Sequence, residues 1–163
     1  FGALSIDLRG HGESEGGPNG WKVFSEGEHR KSIEDVRAAV NFQIVEGHSK
    51  IFLVGASIGA NLALQYLAEE NRVSAAVLLS AGLNYKGIET TALVKNIRPS
   101  QGVFFVAARD DRIKEVDAMA QNLYDVSGSR KKIKIFDTGG HGTDLLLAHP
   151  DLMDEIINWF KEF

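Results

Sequence analysis

Apolar positions follow two spacings along this chain. Short apolar runs typical of β-strands occupy residues 2–7, 51–54, 73–79, 103–108 and 133–136. Apolar residues recur at the spacing of amphipathic helices over residues 32–46, 58–69 and 115–127, and again after Pro150. This order of strands and helices predicts an α/β fold: a mostly parallel sheet with helices on both faces.

Local signals refine this prediction. The run at residues 51–54 is wholly apolar, as expected of a strand that is covered on both faces. Ser32 is predicted to cap the helix that follows it, because Asp35 stands three residues later in the capping-box position. Residues 84–101 follow neither spacing, and we predict a short cap-like insertion there. No repeat or linker interrupts the sequence, so residues 1–163 are predicted to form a single domain.

Composition narrows the classes of function. The chain is 44% apolar and 25% charged, close to the globular average. It contains no cysteine, which excludes disulfide scaffolds, thiolate metal sites and cysteine nucleophiles, and we expect a cytoplasmic protein. The net charge is −4 and no basic patch is present, so neither nucleic acid nor an anionic membrane is an expected partner.

Residues 55–59 read Gly-Ala-Ser-Ile-Gly and match the G-x-S-x-G pattern. They join a predicted strand directly to a predicted helix. A serine in that turn is strained, its hydroxyl projects above the sheet edge, and the helix N-terminus favours a developing oxyanion. A plain turn whose glycines serve only packing is the alternative. A dinucleotide-binding turn is disfavoured because Ser57 stands where that motif needs glycine, and no phosphate loop is present.

Two later loops, each following a predicted strand, offer the acid and the base that a serine nucleophile needs. One contains Asp110 and Asp111, and the other contains His141 between glycines. Adjacent side chains diverge, so at most one of the two aspartates should meet the histidine. A solvent-exposed turn histidine is the alternative for His141, and a metal site is disfavoured because no dense cluster of ligands is present. His29 and His48, which flank a helix, are expected at the surface.

Four segments together resemble the α/β-hydrolase fold family, closest to esterase-like members of the dienelactone hydrolase and acyl-peptidase type. In chain order they are residues 7–14 (Asp-Leu-Arg-Gly-His-Gly-Glu-Ser), 55–59, 107–113 and 140–142. The resemblance implies a nucleophile elbow at Ser57, with His141 as the base of a catalytic triad. It also implies an oxyanion donor in the backbone N–H of Ile58, and it favours Asp111 over Asp110 as the acid.

By the same resemblance we expect a serine hydrolase that cleaves carboxylic esters through an acyl-enzyme, without cofactor or metal. The shortness of the segment at residues 84–101 favours small or exposed substrates. Peptidase, thioesterase and lactonase activities stay open. In that family three strands precede the segment matched by residues 7–14, and the third leads into the second oxyanion donor. We therefore expect an N-terminally incomplete chain that lacks the first strands. The alternative is a non-catalytic partial domain, stabilised by a partner chain or by homo-oligomerisation through exposed sheet edges.

Overall fold

The structure, a computed structural model, describes residues 1–163, which divide into two compact units, Phe1–Ser49 and Lys50–Phe163. In the first unit, a glycine-rich loop and a 3₁₀ turn lead into two helices, α1 (Glu26–Lys31) and α2 (Ile33–Val45). The buried face of α2 follows the predicted apolar spacing and consists of Ile33, Val36 and Val40.

Residues 2–7 do not form the predicted strand. They take part in neither of the two sheets, and the Leu4 and Ile6 side chains are 46% and 41% exposed. An apolar run becomes a strand only when a neighbouring strand completes its hydrogen bonds, and no strand pairs with this run.

The capping box predicted at Ser32 and Asp35 is also wrong. Ser32 has helical backbone angles (φ −62°, ψ −12°) and makes no capping hydrogen bond, because a cap requires extended backbone. The capping box belongs instead to α1, where Ser25 Oγ accepts from the Glu28 N–H and the Glu28 carboxylate accepts from the Ser25 N–H at 2.7 Å. Asp35 instead binds Arg9, accepting from its backbone N–H at 2.9 Å and from its guanidinium at 2.6 Å.

His29 is buried rather than exposed as predicted, with 1% of its surface accessible. It lies near the end of α1, and its ring meets the Phe24 ring edge-on at a centroid distance of 5.5 Å. A short helix packs one of its faces against the rest of the unit. The position of His29 beside a predicted helix does not show whether its side chain lies on that buried face.

The second unit is an α/β arrangement, as predicted. Its strands are β1 (Phe52–Ala56), β2 (Ala75–Leu79), β3 (Asn84–Tyr85), β4 (Ile88–Glu89), β5 (Gly102–Ala108) and β6 (Arg130–Phe136). Its helices are α3 (Ile58–Glu69), α4 (Thr90–Val94), α5 (Val116–Val126), α6 (Asp144–Ala148) and α7 (Asp151–Phe160). A four-stranded parallel sheet has the order β1-β2-β5-β6, and β3 and β4 form a separate antiparallel hairpin.

Helices cover both faces of the parallel sheet. Alternate residues of β2 and β5 pack on one face against α6 and α7, in a buried cluster that includes Phe104, Val106 and Trp159. On the other face α3 packs on β1 and β2, and α5 packs on β5 and β6, where Phe105 meets the Tyr124 ring edge-on. None of the helices is both long and apolar enough to cross a membrane.

The predicted insertion at residues 84–101 contains the hairpin of β3 and β4 and the short helix α4. Asn61, buried in α3, donates to Ile88 O of this segment at 3.4 Å. Its amide also donates to Gly82 O, just before the segment, at 3.1 Å and accepts from the Gly82 N–H at 3.0 Å. The Thr90 hydroxyl donates to Gly82 O at 2.7 Å. A cap-like role for the segment stays a prediction.

Candidate active site

Ser57 occupies the sharp turn between β1 and α3. Its backbone angles are φ +54° and ψ −120°, a conformation that side-chain-bearing residues rarely adopt. The turn is held because the Ser57 N–H donates to Leu79 O of β2 at 2.9 Å. Gly55 allows the tight crossing, since a Cβ at that position would collide with the backbone of Gly59. The Ser57 side chain makes no capping bond to α3, so the hydroxyl is not committed to the helix backbone.

The N–H of Ile58 is the candidate oxyanion donor. Ile58 is the first residue of α3, so its N–H has no acceptor within the helix. The helix dipole adds partial positive charge at the same place. An oxyanion formed at Ser57 would therefore meet a donor that needs no rearrangement.

Asp111 and His141 form the second part of the site. The His141 Nδ1 lies 2.8 Å from both carboxylate oxygens of Asp111. The His141 side chain is 8% exposed and the Asp111 side chain is 1% exposed, so both are buried away from water. Asp111 also accepts from the Ile113 N–H at 2.8 Å. Because a carboxylate accepts hydrogen bonds, the hydrogen of the neutral imidazole belongs on Nδ1, and Nε2 is left as the basic nitrogen.

The two adjacent aspartates point to different partners. Asp111 contacts His141, whereas Asp110 accepts from the backbone N–H of Gly140 at 2.9 Å. Asp110 therefore contacts the histidine loop through its backbone. The residues alone do not predict this division, because it depends on which way each side chain leaves the turn after β5, although the family resemblance favours Asp111 for the contact with His141.

The histidine loop lies beside the serine turn. A Cβ built on Gly142 would lie 3.4 Å from the Cβ of Ala56, the residue before Ser57. Gly140 and Gly142 have φ values of +69° and +62°, which glycine adopts without strain. The loop thus brings His141 to the edge of the sheet at which β1 ends.

Sequence reasoning missed Ser80. Its hydroxyl donates to Asp111 Oδ2 at 2.8 Å and accepts from the Gly142 N–H at 2.9 Å. Ser80 directly follows β2, so the signal that could have found it is a polar residue at the carboxyl end of a buried strand, on the edge that carries the other site residues.

Further contacts hold the start of the histidine loop. Arg109 and Asp137 form an ion pair between the ends of β5 and β6. His149 lies after α6, where its Nε2 is 2.6 Å from Thr138 O and its ring stacks on Phe136 at a centroid distance of 3.7 Å. Together with the bond between the Gly142 N–H and Ser80 Oγ, these contacts attach the loop on both sides of His141.

Comparison with known proteins identifies the family of this chain. The sequence profile of the Hydrolase_4 family, described as serine aminopeptidase, S33, matches residues 1–101. No curated protein matches the sequence.

Solved structures share the fold. The Pyrococcus furiosus esterase Pf2001 aligns with a TM-score of 0.72 at 19% identity, over 96% of this chain and 67% of that one. A Klebsiella pneumoniae protein assigned as a dienelactone hydrolase aligns with a TM-score of 0.68 at 14% identity, over 88% and 64%. The Pyrococcus horikoshii acylaminoacyl peptidase aligns with a TM-score of 0.64 at 16% identity, over 85% and 28%.

The chain spans about two thirds of the length of the esterase Pf2001, and at these identities the alignments establish the fold. The family profile covers more than half of the sequence, and it contains two of the four segments on which the resemblance rests, residues 7–14 and 55–59. The chain therefore belongs to the Hydrolase_4 family of serine hydrolases, and its fold is that of an α/β-hydrolase.

Proposed function

We propose that this chain carries a Ser-His-Asp triad, Ser57, His141 and Asp111, and hydrolyses carboxylic esters. The observation that carries the proposal is the 2.8 Å contact between the Asp111 carboxylate and His141 Nδ1, on a loop that packs beside the strained serine turn. A serine nucleophile needs a base that a carboxylate orients, and Asp111 orients the His141 imidazole on this loop.

Each group has a defined role in the proposed reaction. Ser57 Oγ attacks the acyl carbon of the ester while His141 Nε2 takes the hydroxyl proton. The Ile58 N–H stabilises the oxyanion of the tetrahedral intermediate, and His141 returns the proton to the leaving alcohol. Water then repeats the attack on the acyl-enzyme, with His141 again as the base. Asp111 holds the imidazole in the tautomer that leaves Nε2 free and stabilises the imidazolium.

Esters are the proposed substrates for two reasons. The Pyrococcus furiosus structure with the same fold is an esterase, and a second similar structure comes from the esterase domain of a Rhodothermus marinus protein. In addition, the segment of residues 84–101 is short and partly fastened to α3 through Asn61, which favours small or exposed substrates over those that need a large lid. A peptide or thioester substrate would use the same three side chains.

Covalent labelling tests the nucleophile. A fluorophosphonate probe should label the wild-type protein once, at Ser57, and S57A should lose both the label and p-nitrophenyl acetate hydrolysis. Ser100, exposed in the turn before β5, provides the matched control, and S100A should keep both. Intact-mass and peptide mass spectrometry locate the label. Labelling elsewhere, or hydrolysis that survives in S57A, would contradict the proposal.

Paired substrates test the reaction class. A p-nitrophenyl ester and an aminoacyl p-nitroanilide with the same acyl group should be compared at equal concentration. The proposal requires a larger kcat/KM for the ester, and abolition of that activity by S57A. A preference for the anilide would leave the triad in place and assign the chain to peptide bonds instead.

A further inference from the structure

Ser80 connects the acid of the proposed triad to the loop of its base. Its hydroxyl donates to Asp111 Oδ2 at 2.8 Å and accepts from the backbone N–H of Gly142 at 2.9 Å. The side chain therefore touches Asp111 and the residue after His141 at the same time. One hydroxyl fixes the distance between two loops that follow different strands.

The backbone conformation of Ser80 favours glycine, which indicates that the hydroxyl group accounts for the serine at this position. The residue is 3% exposed and has φ +56°, in the left-handed region where glycine is favoured over every other residue. Its N–H donates to Val106 O of β5 at 2.9 Å, so the strained conformation is held by the sheet. A glycine would fit this backbone with less strain but would leave Asp111 and Gly142 without their shared partner.

We propose that Ser80 is a positioning residue that sets the angle between Asp111 and His141, an inference that rests on the proposed function. The Asp111 carboxylate has three donors around it: Ser80 Oγ, the Ile113 N–H and His141 Nδ1. Without Ser80 the carboxylate can rotate about its remaining contacts, and the histidine loop loses the bond at Gly142. Both changes would shift Nε2 of His141 from the position that the proposed proton transfer needs.

Two variants separate this role from a contribution to folding. S80A removes the hydroxyl and keeps the backbone strain, whereas S80G removes the hydroxyl and relieves the strain. We expect kcat to fall about 10- to 100-fold in both variants, with KM within about twofold of wild type. Displacing a catalytic group by about 1 Å lowers the rate by a factor of that order. The fluorophosphonate labelling rate at Ser57 should fall by the same factor. The Tm of S80G should exceed that of S80A.

Ser129 provides the matched control. It is a buried serine before β6, at the opposite end of that strand from the histidine loop, and its hydroxyl bonds Ser127 Oγ at 3.1 Å. S129A should lower the Tm and leave kcat unchanged.

The outcomes distinguish this inference from the function on which it rests. If S80G regains wild-type kcat while S80A does not, activity follows stability and Ser80 is only structural. If both keep full kcat, the inference is also overturned. In either case a loss of activity in S57A leaves the proposed function standing, whereas hydrolysis that persists in S57A removes the basis for both.

Discussion

Replacing Asp111 with asparagine gives the sharpest test of the acid, because it exchanges one oxygen for an NH₂ group and changes almost no volume. The carboxylate accepts from Ser80 Oγ, the Ile113 N–H and His141 Nδ1, each at 2.8 Å. In D111N one of the two acceptors becomes an NH₂ group, which cannot accept. If the amide oxygen stays with the Ile113 N–H, the NH₂ group takes the place of Oδ2, which lies 2.8 Å from both His141 Nδ1 and Ser80 Oγ.

An NH₂ group facing Nδ1 favours the tautomer with the hydrogen on Nε2, the nitrogen that must take the proton from Ser57. In a triad of this kind the wrong tautomer lowers kcat by about 10⁴-fold. We therefore expect D111N to lose about four orders of magnitude in kcat, with KM nearly unchanged, in a p-nitrophenyl acetate assay. The protein should remain folded, as judged by circular dichroism.

The matched control is D110N, which alters the adjacent carboxylate. Asp110 contacts the Gly140 N–H rather than the imidazole, and an asparagine oxygen can still accept that bond. We expect less than a tenfold loss of kcat in D110N. The assignment of the acid would be refuted if D111N stayed within tenfold of wild type, or if D110N lost as much activity as D111N.

Three further predictions concern stability and assembly. Gln101 is 3% exposed, and its side-chain amide donates to three carbonyls at the end of α3 and before β2. Q101A should therefore lower the free energy of unfolding by about 2–4 kcal/mol in urea denaturation. Gln121 is exposed and bonds only within its helix, so Q121A should change that free energy by less than about 0.5 kcal/mol. Lys134 holds the pKa of Glu155 below its ordinary value of 4.5, so this ion pair stabilises the fold above that pH, and its contribution is lost as the pH falls through the lowered pKa. Between pH 7 and pH 3 the free energy of unfolding of the wild type should therefore fall by up to about 1 kcal/mol more than that of E155Q, and equal losses would contradict this. Val54 is 51% exposed on β1, an edge strand of the sheet, and self-association through that edge stays a prediction. Sedimentation should detect oligomers of the wild type that V54K dissociates, and a monomeric wild type would refute the prediction.

The parallel sheet and its main helices could be predicted because burial leaves a periodic record in the sequence. The observed α3 (Ile58–Glu69) coincides with the prediction, and α5 (Val116–Val126) differs by one residue at each end. The strand predicted over 133–136 begins earlier, at Arg130. Its first half is charged because β6 is an edge strand, and Lys132 pairs there with a carboxylate of α7 rather than packing in the core.

The incorrect predictions involve local signals that depend on a distant partner. Residues 2–7 have the composition of a strand but no neighbouring strand to pair with. Asp35 has the spacing of a capping residue, yet its carboxylate is taken by the Arg9 guanidinium, 26 positions earlier in the sequence. A charge-assisted, forked contact with arginine is stronger than a single bond to a helix N–H. Local spacing cannot show which of two acceptable partners a side chain will choose.

The site itself shows why residue types could be predicted and their contacts could not. Ser57 and Ser80 follow adjacent parallel strands, and each has a positive φ. In each case the strained residue donates its N–H to the next strand across, to Leu79 O and Val106 O respectively, so the sheet ladder extends one residue beyond each strand before the chain turns. Two strained serines on one edge are stable only because the buried strands behind them fix both turns. The glycine-flanked motif predicted Ser57 from the sequence, but no motif surrounds Ser80. The contacts of Ser80 depend on Asp111 and Gly142, which reach the same hydroxyl from two loops that are far apart in the chain.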